Sequence, residues 1–179
     1  MPHDVHPAPP AGVPSSPVTL PDRDDYYLAL AFAAARRANC RGRKVGAVLV
    51  KGDRVIATGY NGTPEGLANC LDGGCLRCSD RDEFVSGTGY DLCICVHAEA
   101  NALLTAGRFG ASTDGSTVYT TDQPCFTCSK DLIQAGVVKV YYARTWRPDE
   151  RVVDDYRKLQ ARLDAEHVPT EYEITSLDD

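Results

Sequence analysis

The chain has 179 residues, 43% of them hydrophobic and 25% charged, the balance of one ordinary globular domain. Acidic residues number 25 against 19 basic, a formal charge of −6, which argues against a nucleic-acid partner. No apolar run reaches the ~18 residues of a membrane span. The first residues, MPHDVHPAPPAG, lack a basic region followed by an apolar one, so a cytoplasmic location is expected.

Residues 1–21 hold most of the eleven prolines and no apolar period, and read as a disordered tail; residues 22–179 read as one domain. Asp22 or Asp24 can cap a helix over about 24–40 with an acidic first turn and a basic end. The β-branched runs 45–50 and 55–60 flank Lys-Gly-Asp-Arg and predict a hairpin. From about 62 to 95 the chain is rich in Gly, Asn, Asp and Cys without a period, and an insertion of that length needs a staple. Then come a helix at HAEANALLTAGRFG, a strand at TVYTT, a helix at PCFTCSKDLIQAG opened by Pro and closed by Gly, and a strand at VVKVYYA. A last amphipathic helix runs through DERVVDDYRKLQARLDAEH, with Val152, Tyr156, Leu159 and Leu163 on one side, and EYEIT can add a final strand. Strands alternating with helices predict an α/β fold, a three-layer α/β/α sandwich around a mixed, partly parallel five-stranded sheet.

Eight cysteines without a secretory leader favour metal over disulfides. Catalytic zinc keeps three protein ligands and an open position, and His97, Cys125 and Cys128 supply three. Cys125 and Cys128 lie one turn apart after Pro124, at a helix start whose positive end favours thiolate. His97 and Glu99 are two apart, about 200° on a regular helix, so a metal meeting the imidazole must lie off the helix end. There Glu99 can serve as general base and then general acid in a hydrolysis.

His-Ala-Glu followed by Pro-Cys-x-x-Cys is the signature of zinc-dependent base deaminases. With VGAVLV at 45–50, GYNGTPEG at 59–66, CVHAEANALL at 95–104, VYTTDQPCFTC at 118–128 and AGVVKVYY at 135–142, the chain resembles the cytidine and deoxycytidylate deaminase superfamily over about 24–143. It is most similar to the deoxycytidylate (dCMP) deaminases, the GYNG-x-P segment being the most discriminating. The resemblance implies hydrolysis of a cytosine nucleotide at C4, most simply dCMP to dUMP with release of ammonia. It further implies zinc on His97, Cys125 and Cys128, proton shuttling by Glu99, a sugar contact by Asn61 and a base contact by the Ala98 backbone. A homo-oligomer, commonly a hexamer, and dCTP and dTTP as effectors near GYNG-x-P are also implied.

A second, structural zinc is the natural staple of the insertion, on Cys70, Cys75, Cys78 and Cys93; Cys95 can replace Cys93, and free packed thiols are the alternative. Cys40, at a helix end, reads as core. For a nucleotide phosphate, Lys44, Arg77, Arg81, Arg108 and Arg144 are candidates without a diagnostic motif.

Overall fold

A computed structural model of the chain describes residues 20–80 and 92–170. Helix α1 (Arg23–Ala35) starts at Asp22, whose carboxylate accepts from the Asp24 amide, and carries Asp24 and Asp25 in its first turn. It stops five residues short of the expected end. The amides of Arg36, Arg37 and Ala38 bond three residues back, tightening and ending the helix, and Asn39 then turns to the insertion. The Asn39 side-chain carbonyl accepts from Thr63 N at 3.1 Å and its amide donates to Asn69 at 2.7 Å, an allegiance that helical periodicity cannot reveal.

The hairpin forms as expected from β1 (Gly46–Lys51) and β2 (Arg54–Tyr60). Gly52 and Asp53 both have positive φ, 54° and 58°, the two-residue turn whose twist suits a hairpin. Within the insertion, a 3-10 turn at Cys70–Asp72 and the short helix α2 (Leu76–Ser79) precede α3 (Ala98–Arg108), β3 (Thr117–Asp122), α4 (Phe126–Gln134) and β4 (Lys139–Arg144).

The last helix is shorter than its periodicity suggests. After a 3-10 turn at Glu150–Val152, α5 (Val153–Arg162) ends because Asp164 adopts a left-handed conformation, φ 45°. Buried Leu163 anchors that turn, and Ala165–His167, expected as helix, instead forms β5 on the free edge of β4. The strand expected at EYEIT lies outside the described residues, as do Arg81 and residues 1–19 of the tail.

The sheet order is β2-β1-β3-β4-β5, antiparallel across β2-β1-β3 and parallel across β3-β4-β5. This is the expected mixed five-stranded sheet. Alternation along the strands builds two cores. Tyr27, Leu28, Ala31 and Phe32 of α1 cover Val48, Val50, Tyr119 and Ala143. On the opposite face Ala106, Leu132 and Leu163 cover Leu49, Val118, Val140 and Tyr142, completing three layers. Two glycines set how close the outer layers come: a methyl on Gly46 would strike the Ala31 carbonyl, and one on Gly59 the Ala98 carbonyl and Ala102 amide. Gly59 thereby seats the start of α3 directly on β2.

Candidate functional site

The polypeptide crosses from β3 to β4 through α4, and the start of α4 meets the start of α3 at the carboxyl end of the parallel strands. His97 occupies the N-cap position of α3, with φ −71° and ψ 156°, and Cys125 the N-cap of α4, with φ −68° and ψ 172°. Cys128, one turn into α4, is buried. The His97 Nδ1 lies 3.4 Å from Cys125 Sγ and 3.4 Å from Cys128 Sγ. Tetrahedral zinc with ligand bonds of about 2.0–2.3 Å separates its donors by roughly 3.5–3.8 Å, so the three atoms fit that ion with little movement. His97 stands outside the helical turn while Glu99 sits inside it, which resolves the angular conflict noted for a metal on the helix side.

Electrostatics around the three donors are those of a site that holds charge. A hydrogen bond from Cys128 holds the Cys125 thiol down at about 4, with His97 adding to the effect. The reciprocal bond and burial push Cys128 up, and the Cys125 sulfur raises His97. Glu99 is 4% exposed, and burial pushes its carboxyl up to about 7, with the charge of Cys125 acting in the same direction. A carboxyl in that range can accept and return a proton near neutral pH.

Ala98 is fully buried in the first turn of α3, where backbone N–H groups have no partner within the helix. Asn61 follows β2 and is nearly buried. Its Oδ1 accepts from Val45 N and its Nδ2 donates to Arg43 O, both at 2.8 Å, leaving one amide hydrogen and one lone pair uncommitted by these bonds. Asn61 therefore shapes the loop entering β1. The next residue, Gly62, exchanges backbone hydrogen bonds with Val96, fastening GYNG to the residue before His97.

Several supporting residues carry no local sequence signal. Asp122, buried at the end of β3, accepts from Arg43 and Arg144, each at 2.7 Å. Arg144 also donates to the carbonyls of Thr121 and Lys44, so this phosphate candidate is committed to holding the loop. Arg108 pairs with Glu65 on the surface, and Lys44 is half-buried. From α5, the Tyr156 hydroxyl donates to the Pro124 carbonyl at 2.6 Å and Gln160 donates to Ser129 at 2.9 Å, while Ser129 donates to the Cys125 carbonyl. Only a tertiary contact from a distant helix reveals this brace.

The insertion gathers more thiols than expected. Cys70, Cys75 and Cys78 come together as anticipated, and Cys93 packs against them, but Cys95 and Cys40 join the same cluster. Both Cys93 and Cys95 belong to it, so the fold brings both candidate ligands to the same place. Cys40 is buried, as expected, but its core neighbours are the other sulfurs, because the early stop of α1 turns it toward Cys70.

A three-donor nitrogen-sulfur centre with a buried carboxyl beside it, on a three-layer α/β/α frame, is suited to holding a metal ion with a proton-transfer group next to it. The model of the cytidine and deoxycytidylate deaminase zinc-binding region matches residues 21–144, and the chain belongs to that zinc-binding family. A deoxycytidylate deaminase of Saccharomyces cerevisiae is 47% identical over 135 residues, covering 75% of this chain and 42% of the relative. The deoxycytidylate deaminase of Mycobacterium phage D29 is 43% identical over 133 residues, covering 71% of this chain and 98% of the relative. The chain spans under half the length of the yeast relative. A crystal structure of dCMP deaminase from the cyanophage S-TIM5 in complex with dCMP and dUMP superposes with TM-score 0.65 at 34% identity, over 84% of this chain and 99% of that one.

Proposed function

We propose that the chain hydrolyses dCMP to dUMP and ammonia, with His97, Cys125 and Cys128 holding a catalytic zinc ion and Glu99 moving the protons. The observation that carries this reading is the buried Glu99 carboxyl, raised to about 7, next to three zinc-compatible donors. Zinc, when bound, supplies Lewis acidity that makes water a nucleophile at neutral pH. Glu99 accepts a proton from the attacking water, delivers it to cytosine N3, and carries the second proton to the departing amine. One carboxyl serves twice because its burial leaves it no bulk solvent to exchange with. By resemblance to the family, the Ala98 backbone contacts the base and Asn61 contacts the sugar, for which the amide hydrogen left over from its bonds to the 43–45 backbone is available. Support for the nucleotide comes from the names of the relatives and from the substrate and product held by the cyanophage enzyme.

The same reading extends to the assembly and its setting. We assign a homo-oligomer, a hexamer by family resemblance, with dCTP and dTTP as effectors near the GYNG-x-P loop. The net charge of −6 weighs against a nucleic-acid partner, and no described helix is long and apolar enough to cross a bilayer. A reducing compartment, the cytoplasm, keeps the thiols available to metal.

Steady-state deamination of dCMP, CMP, deoxycytidine and cytidine side by side tests the function. dCMP is expected to turn over far faster than deoxycytidine, and Glu99→Ala to lose at least ~100-fold in kcat with zinc content unchanged. Inertness toward all four with zinc bound would reject the assignment in favour of a modified cytosine nucleotide or a nucleotide-sensing role.

A further inference from the structure

We propose that all six cysteines of the second cluster, Cys40, Cys70, Cys75, Cys78, Cys93 and Cys95, bind two metal ions joined by bridging thiolates. The sulfurs do not form a four-cornered cage with two onlookers. They form three triads, Cys40-Cys70-Cys95, Cys70-Cys75-Cys78 and Cys75-Cys93-Cys95, each with its sulfurs within 4.8 Å of one another. Cys70, Cys75 and Cys95 each belong to two triads, and a sulfur shared between two donor sets is where a bridging thiolate sits.

Coordination arithmetic favours the same answer. One tetrahedral ion consumes four thiolates and strands two buried thiols beside it. Two tetrahedral ions need eight positions, and six thiolates supply eight when two of the shared sulfurs bridge. The edge of a zinc-thiolate tetrahedron is about 3.8 Å for a 2.3 Å bond, and the Cys75 and Cys93 sulfurs already stand 3.9 Å apart.

Backbone amides aimed at sulfur are a second, independent mark of a thiolate site. Arg41 N donates to Cys70 Sγ at 3.3 Å and Gly42 N to Cys40 Sγ at 3.4 Å. Two consecutive amides turn onto two sulfurs of the cluster, the pattern expected where ligand sulfurs carry charge. Zinc is the natural ion for an all-thiolate set, and each thiol proton leaves to solvent as its sulfur binds.

This inference is independent of the substrate, and its readout is metal content. Native mass spectrometry and zinc analysis of the intact chain are expected to find three zinc ions per chain, one at the catalytic site and two in the cluster. Two zinc ions per chain falling to one in Cys125→Ser, or one with the mass loss of disulfides, would overturn it. Cys40→Ser is expected to remove at least one zinc ion, whereas a single ion on Cys70, Cys75, Cys78 and Cys93 would leave the count unchanged. Where that variant fails to fold, cadmium-113 spectra of the unaltered chain decide the matter. Two cluster resonances split by mutual coupling show a shared sulfur, and their absence rejects it.

Discussion

Tyr156→Phe isolates the brace between α5 and the metal-ligand turn, because it deletes one hydroxyl and keeps the ring that packs edge-on against Trp146 with centroids 5.1 Å apart. The hydroxyl is buried and donates to the Pro124 carbonyl at 2.6 Å. Stranding a buried acceptor costs about 1–3 kcal/mol. Ser129 Oγ stands 3.4 Å from the same carbonyl and recovers part of that loss, which places the expected cost at about 1–2 kcal/mol. For a chain of this size that lowers Tm by roughly 2–8 °C. Pro124 immediately precedes Cys125, so the loosened turn also weakens zinc binding, by about tenfold, the lower end for partners that orient ligands. Calorimetry and competition with a chromogenic chelator measure the two effects. A lowered Tm with unchanged zinc affinity would show that α5 stabilises the fold without orienting the ligands, and no change in either would refute the brace altogether.

Other substitutions probe the frame. Gly59→Ala drives a methyl into the backbone of α3 and is expected to cost about 1–3 kcal/mol by urea titration, with turnover falling more than stability because the helix carrying Glu99 is displaced. Asp122→Asn removes the charge that Arg43 and Arg144 share. Since both arginines are about half exposed, the expected loss is about 1–2 kcal/mol, well below that of a fully buried pair, and thermal melts at two salt concentrations check it. Chelation of both metal sites is expected to lower Tm and to do so more readily as pH falls, because protons compete with metal for thiolate; a melting curve indifferent to chelator would contradict both sites.

The three proposed zinc donors were legible because their chemistry is local: a His-x-Glu and a Pro-Cys-x-x-Cys each open a helix, and the spacing of two between His97 and Glu99 already requires a metal off the helix end. The hairpin was legible for the same reason, since Gly52-Asp53 is a turn before any sheet exists. Chain-end events were not. Whether Asp164 turns left-handed depends on Leu163 finding its pocket, and the edge of β4 then captures three residues that helical periodicity had claimed. The neighbours of Cys40 are hidden for a related reason: they lie thirty or more residues away, and only the early end of α1 sends it to them. Asp122, Tyr156 and Gln160 support the site purely through tertiary contacts, which no spacing rule encodes.

His97 and Cys125 begin their helices as extended residues whose side chains cap nothing: neither α3 nor α4 receives a side-chain hydrogen bond at its N-cap. An isolated helix start of that kind frays, because its leading amides have no acceptor. A metal ion tying both residues to Cys128 clamps the two starts to one point, so a single ion does the work of two caps. Loss of that ion frees both ends together, and amide exchange in the opening turns of α3 and α4 should accelerate in step while the ends of α1 and α5 keep their rates.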